Sequence, residues 1–284
     1  MAIFSNQATL TYNGNSVDSN IAYGEILETL TATKTAIEGS YTPGGLVTYA
    51  VILRNTGSRA LTGLTVTDDL GGYLFNGTTR YPLTYAAGTV AVFVNGVLQP
   101  APMVTAGPPL GIAGITIPAG GDAVILYQAR VNDFAPPAAG GTIVNTVTVT
   151  GGGLNTPVTA TETVTADTEA VVTITKSISP AQVADNDRVT YTFVIRNFGN
   201  EPVVATDNAV LTDTFDPILT DLVVTYEGTT WTRGVQYNYN EATGLFTTVP
   251  SQITVPAATY TRDPVTGAYT VTPGEVTLTV TGTI

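Results

Sequence analysis

The chain repeats itself. Its only two lysines, Lys34 and Lys176, are each followed by a tyrosine 15 residues on (Tyr49, Tyr191) and an asparagine 21 residues on (Asn55, Asn197). The segments between, LVTYAVILRNTG at 46–57 and RVTYTFVIRNFG at 188–199, alternate apolar and polar residues and close on Asn-x-Gly. Further on, ITIPAG at 115–120 matches ITVPAA at 253–258, and GDAVILYQARV at 121–131 matches GEVTLTVTGTI at 274–284. Register kept over so long a period predicts two copies of one unit, and the period-two alternation predicts that the unit is built of strands.

Composition narrows what the units can be. At 284 residues the chain has room for two domains with a core each. Charged residues make up 11%, far below the usual quarter, while Thr and Val abound beside 29 Gly and 17 Pro. That mixture suits short strands joined by turns, and no window shows sustained helical spacing. A net charge of −12 with two lysines argues against nucleic acid as a partner. The chain has neither Cys nor His, so disulfides, thiolate nucleophiles, Ser-His triads and His-ligated metals are excluded, and no cofactor is expected. No apolar run reaches the length of a membrane span, and Met1–Asn6 lacks the basic head and apolar stretch of a signal peptide.

The two units end differently. After Val131 the first continues to a further strand, IVNTVTV at 143–149, whereas the second stops at Ile284, the position equivalent to Val131. A counterpart of the missing strand stands at the other end of the chain. Asn6-Gln7-Ala8-Thr9-Leu10-Thr11 matches Asn145-Thr146-Val147-Thr148-Val149-Thr150, and Asn6 precedes Lys34 by 28 residues as Asn145 precedes Lys176 by 31. The strand runs through Asn13-Gly14, a favoured two-residue turn, into VDSNIAYGEIL. The expected organisation is an N-terminal donor hairpin at 1–28, a first repeat at 29–167, and a second repeat at 168–284 lacking its last strand.

A sandwich short of one strand exposes unpaired backbone groups beside an apolar groove. The hairpin can lead the first unit as an ordinary element, fold back into its own second unit, or insert into a neighbouring copy. The register match favours insertion. Such a contact is head-to-tail, takes copies of the chain itself as partners, and makes filaments where it does not close.

The motifs Y-x-[VIL]-x-[VIL]-x-N-x-G (within 47–57; its counterpart has Phe193 at the first bracketed position), T-D-x-[LF] (TVTDDL at 65–70; Asp213 in the second unit) and N-T-x-T-V-T (IVNTVTV at 143–149) follow in this order. Together they resemble the bacterial surface "conserved repeat" family, domain of unknown function 11. The resemblance implies an all-β protein of two tandem immunoglobulin-like β-sandwiches in an extracellular or cell-surface protein, and it implies no activity. The lysines resemble those of isopeptide-forming pilin and adhesin domains of Gram-positive bacteria. There an internal amine attacks an Asn side-chain amide, a buried acid assists, and ammonia leaves.

That chemistry needs a neutral amine and a protonated carboxyl, which burial favours for both, and fixed geometry replaces an outside enzyme. The expected bond in the first unit joins Lys34 to Asn145, with Asp68 as acid and their strands side by side. In the second unit Lys176 and Asp213 await an Asn, and Asn6 of a neighbouring copy supplies it. Glu38, Asp69, Glu162 and Glu275 are alternative acids. A lone strand lysine is otherwise a solvated edge charge.

Other features read more plainly. Asp185-Asn186-Asp187 has the oxygens of a calcium loop but aligns with the turn Pro43-Gly44-Gly45. Asp207-Asn208 falls in a three-residue insertion and reads as loop. Asn55 and Asn197 are expected to cap turns whose following Gly57 and Gly199 take positive φ. The aromatics Tyr226, Trp231, Tyr237, Tyr239, Phe246, Tyr260 and Tyr269 form either one packed face or a ligand platform, and the alternation in VQYNYNEATGLF favours packing. Asn76-Gly77-Thr78 fits a glycosylation acceptor or a turn. No pair of carboxylates is singled out for glycosidase work. The reading is therefore a structural fibre subunit and not an enzyme, with a glycan- or protein-binding adhesin module or a passive spacer as rivals.

Overall fold

The computed structural model describes residues 2–26 and 29–284. The boundary expected between hairpin and first repeat falls at Leu27 and Glu28, which, with Met1, lie outside the described residues. Regular structure among the described residues is strand throughout, save one 3-10 turn at Ala205–Asp207. The Asn-Gly pairs turn as their residue types dictate. Asn13 and Gly14 have φ of 44° and 80°, Asn95 and Gly96 of 47° and 77°, the two positive values that let a two-residue turn follow strand twist.

The chain divides into two compact units, one of the residues up to Asn132 with Ile143–Val164, the other of Asp133–Thr142 with Thr165–Ile284. The first is a sandwich of two sheets. One sheet orders Val97–Leu98, Ala91–Val94, Asp122–Val131, Leu46–Asn55 and Leu30–Ala36, with Leu83–Tyr85 also on Asp122–Val131. The other orders Met103–Thr105, Leu110–Ile117, Leu61–Asp68, Thr142–Thr150, Val158–Ala166 and Ser40–Tyr41. Alternation sends Val47, Tyr49, Val51 and Leu53 inward from one sheet and Leu64, Val66, Ile112, Val147 and Val149 from the other, all buried. Each such side chain contributes about 1.5–3 kcal/mol by leaving water.

The second unit repeats the first sheet as Val172–Ser179, Arg188–Asn197, Gly274–Thr283, Thr220–Tyr226 and Thr229–Trp231. Its other sheet is smaller: Thr212–Thr214, Leu245–Thr248 and Tyr237–Asn240. The inserted residues fold into the Ala205–Asp207 turn, which interrupts the counterpart of Leu61–Asp68. What remains is an isolated bridge from Val203 to Val255 and the three residues Thr212–Thr214. Thr142–Thr150 flanks Leu61–Asp68 in the first unit; among the described residues no strand flanks Thr212–Thr214 on that side. Phe215 centres the core, its ring 4.9 Å from Tyr191, 6.2 Å from Tyr239 and 6.0 Å from Phe246. Trp231, Tyr237, Tyr239 and Phe246 are buried, so this aromatic row is core.

The leading segment forms a hairpin of its own, Ala2–Asn6 pairing with Ala22–Ile26 and Thr9–Tyr12 with Asn15–Asp18. Residues 4–23 are exposed along their whole length. The hairpin has two faces. Thr9 bonds Asp18 and Thr11 bonds Ser16 on one; Leu10 stands opposite Val17, Phe4 opposite Gly24 and Asn6 opposite Ala22 on the other.

Asn55 and Asn197 are buried anchors. Asn197 Nδ2 donates to the carbonyls of Glu201 at 2.6 Å and Pro256 at 3.2 Å, and its Oδ1 accepts from the Val171 and Gly199 amides, both at 2.9 Å. The expectation that Gly57 and Gly199 take positive φ is not met. Close approach explains these glycines instead: a Cβ on Gly199 would lie 2.1 Å from the Glu169 carbonyl oxygen, and one on Gly57 3.0 Å from Thr29 Cβ. Asn197→Ala leaves buried groups unpaired and is expected to cost about 1–3 kcal/mol. Denaturant unfolding followed by Trp231, the only tryptophan and a member of this core, measures it; an unshifted midpoint would remove Asn197 as the anchor.

Candidate cross-linking sites

In the first unit Lys34 alternates with Leu30 on the inward face of Leu30–Ala36, and both are buried. Its Nζ donates to Asp68 Oδ2 at 2.6 Å, with side chains 0% and 1% exposed. The Tyr127 hydroxyl donates to the same oxygen, and the Leu70 amide donates to Oδ1 at 2.7 Å. The Tyr49 ring lies 4.7 Å from the Lys34 Nζ and stacks on Tyr127, centroids 5.6 Å apart. Burial lowers the pKa of Lys34 against the opposing pull of Asp68, so the neutral amine is brought nearer. Burial likewise raises the Tyr49 and Tyr127 hydroxyls.

Asn145 is fully buried in the neighbouring strand Thr142–Thr150. Its Oδ1 accepts from the Gly71 amide at 3.2 Å, while Nδ2 has no hydrogen-bond partner. The amide lies near enough to bias the ionisation of both tyrosines without a well-formed bond to either. A buried unpaired amide nitrogen is uncommon and costs about 1–3 kcal/mol. The site thus assembles an amine, a carboxyl and a carboxamide out of water, the groups that amide exchange requires.

The strands are not arranged as expected. Lys34 and Asn145 belong to facing sheets rather than lying side by side, because Leu30–Ala36 pairs with Leu46–Asn55 and Thr142–Thr150 pairs with Leu61–Asp68. Nor is Thr142–Thr150 the last strand: Val158–Ala166 follows and covers its other edge. Among the alternative acids, Asp69 is turned to the backbone, accepting from the Gly71 and Thr146 amides at 2.9 Å, and burial raises its carboxyl. Glu38 accepts from Thr48, and Glu275 pairs with Arg196 at the surface. Glu162 acts on Lys34 only through space. Asp68 is the carboxylate in contact with the amine.

The second unit holds the same pair in the open. Lys176 Nζ lies 2.5 Å from Asp213 Oδ2, and the Tyr191 ring lies 4.6 Å from the amine, with Phe193 and Phe215 at 5.5 and 5.4 Å. Yet these side chains are 40% and 20% exposed. Val172, Ile174 and Ile178, on the same face of the strand as Lys176, are exposed too. Val172 and Ile174 line an apolar groove of about 380 Å³ together with Ile195, Leu211, Ile253 and Val255. Asn6 stands on the exposed hairpin, opposite Ala22.

Tyr127 escapes sequence reasoning because only one repeat carries it. Tyr49 pairs with Tyr127, whereas Tyr191 pairs with Val280. The 15-residue interval from each lysine to its tyrosine marks the ring over the amine only once the fold is known. Asp187 caps a turn through the Ala184 amide at 2.8 Å, and no group of three possible ligands among the described residues is placed to hold a metal.

No protein-family model and no curated protein matches the chain. Solved structures do resemble it. The pilus backbone protein RrgB of Streptococcus pneumoniae is 12% identical with a TM-score of 0.35, over 87% of this chain and 55% of that one. The full-length major pilin SpaD of Corynebacterium diphtheriae is 12% identical with a TM-score of 0.36, over 78% and 49%. A collagen-binding domain from a Staphylococcus aureus adhesin is 13% identical with a TM-score of 0.31, over 49% and 99%. The chain spans about half the length of the two pilins. Fold and sites together define an all-β protein of two sheet-built units with one Lys–Asp pair in each. Among the described residues no helix is long and apolar enough to cross a membrane.

Asp68→Ala strands a buried ammonium and is expected to cost about 3–5 kcal/mol. Asp213→Ala, at a solvated pair, is expected to cost no more than about 1 kcal/mol. Denaturant unfolding of the two variants compares them; equal losses would mean that burial does not distinguish the sites.

Proposed function

We propose that the chain is a structural subunit of an extracellular or cell-surface filament, assembled head to tail from copies of itself by hairpin donation and fixed by Lys–Asn isopeptide bonds. One observation carries the reading. The same Lys–Asp–Tyr arrangement is buried beside an Asn-bearing strand in one unit and exposed in the other, where Val172 and Ile174 of the lysine's own strand line an apolar groove, while an exposed hairpin bears the matching strand.

With Asn6 in the register of Asn145, the inward set Phe4, Asn6, Ala8 and Leu10 replaces Ile143, Asn145, Val147 and Val149. The polar hairpin face is left outward. Seating Phe4 and Leu10 against Val172 and Ile174 contributes about 1.5–3 kcal/mol per side chain. Main-chain pairing with the free edge of Thr212–Thr214 adds to this, against an association cost of about 4–15 kcal/mol. The contact uses different surfaces on the two copies, so repetition extends a thread.

In the covalent step the Lys34 amine attacks Asn145 Cγ, Asp68 carries the proton and ammonia leaves. Lys176 does the same to Asn6 of the neighbour with Asp213. Each site reacts once. The few charges and absent thiols suit a durable exposed surface. An adhesin would be favoured by an exposed aromatic row, of which Trp231, Tyr237, Tyr239 and Phe246 are core here and Tyr226, Tyr260 and Tyr269 half-buried, and a spacer by a hairpin packed in its own chain, which here is exposed.

The test is intact mass after boiling assembled protein in denaturant. A ladder of multimers is expected, lighter by one ammonia per bond, and Lys176→Arg should reduce it to monomers that still lack one ammonia. A single species at the full chain mass would remove the isopeptide bonds from the reading.

A further inference from the structure

We infer that docking of the neighbour's hairpin is itself the switch for the covalent step at Lys176, so that the bond forms only between copies seated in the correct register. The inference rests on the hairpin donation proposed above and concerns how that site is controlled.

The two units hold their Lys–Asp pairs at nearly the same distance, 2.6 and 2.5 Å, so contact between amine and carboxylate does not depend on the covering strand. Dryness does. Side-chain exposure is 0% and 1% where Thr142–Thr150 lies over the pair, and 40% and 20% where, among the described residues, no strand does. In the first unit Ile143 and Val147, two residues either side of Asn145, are buried with it. On the hairpin the residues so placed around Asn6 are Phe4 and Ala8, both exposed. The second site also has Val280 where the first has Tyr127, and the Asp213 contacts are Lys176 and its neighbouring Thr214 amide at 3.0 Å. Until a hairpin arrives, water competes for both partners.

Water stabilises the charged pair, in which the amine has no free lone pair. Closure makes that charge separation expensive. The proton then passes from Lys176 Nζ to Asp213 Oδ2 along the bond already present. The freed lone pair attacks Cγ of the neighbour's Asn6. Asp213 protonates the departing nitrogen and takes one proton from the attacking nitrogen. One C–N bond forms, one breaks, ammonia leaves, Asp213 ends protonated, and nothing is oxidised.

Register enters because a one-residue slip reverses the faces of a strand. It would bring Gln7, also a carboxamide, toward the amine, but flanked by Ser5 and Thr9, which leave the pocket wet. The linkage is therefore to Asn6 and never to Gln7.

The test uses the full chain, pulsed with an amine-acylating reagent at neutral pH and mapped by mass spectrometry. In dilute monomers Lys176 should acylate readily, whereas Lys34, already bonded to Asn145, should not; in an Asn145→Leu chain, where both amines are free, Lys176 should acylate at least about tenfold faster than Lys34. Asn6→Leu chains should sediment as assemblies without bonding, with Lys176 protected at least about tenfold relative to monomers. Phe4→Ala chains, at concentrations where sedimentation shows full docking, should bond at least about tenfold more slowly than wild type. Acylation of Lys176 at the monomer rate inside Asn6→Leu assemblies, a Phe4→Ala bonding rate equal to wild type, or a linkage mapped to Gln7 would each overturn the switch. If neither wild type nor Asn6→Leu sediments, hairpin donation fails, and the switch falls with it.

Discussion

The first unit is arranged around one ammonium taken out of water. Isolated, such a charge would cost several kcal/mol; here a carboxylate at 2.6 Å and the face of Tyr49 offset the cost. The carboxylate in turn is held by the Tyr127 hydroxyl and the Leu70 amide. Lys34, Tyr49, Asp68 and Tyr127 come from four strands, so the pair ties sheet to sheet within the sandwich. The second unit separates two properties that the first combines. Contact between Lys and Asp comes from the two strands that bear them, and exclusion of water comes from a third.

In the proposed assembly the exposed hairpin is the other half of that arrangement. Two strands alone are marginal in water, and this pair adds side-chain bonds, Gln7 to the Ser19 carbonyl at 2.8 Å and Thr9 to Asp18 at 2.6 Å, on one face only. Phe4, Leu10 and Val17 remain in solvent. In the proposed assembly the apolar face of this hairpin seats in the groove lined by Val172 and Ile174, which no strand covers among the described residues.

Much of this was legible in the residues. Intervals of 15 and 21 from each lysine, and strict alternation, marked two copies of one strand-built unit, though the rings of Tyr49 and Tyr191 beside the amines emerge only from the fold. The Asn-Gly turns formed as their chemistry requires. Alternation tells which face of a strand a side chain takes but not which sheet the strand joins, so Lys34 and Asn145 came out in facing sheets. Gly57 and Gly199 look like turn glycines until the neighbouring backbone is seen pressed against them. Tyr127 leaves no trace in a comparison of repeats, since its counterpart is Val280. The shrinkage of the second unit's smaller sheet follows from three inserted residues whose effect depends on their folding into a turn.

The facing-sheet position of Lys34 and Asn145 bears on how a bonded thread would carry tension. A pull transmitted through covalent bonds would enter a subunit at Asn6, run to Lys34, cross to Asn145, run to Lys176 and pass to Asn6 of the next copy. The 28 intervals from Asn6 to Lys34 and the 31 from Asn145 to Lys176 lie on that path, and residues 35–144 and 177–284 lie off it. Most of both sandwiches would be spared the load, since the chain between each bonded lysine and the strand that follows lies outside the covalent path.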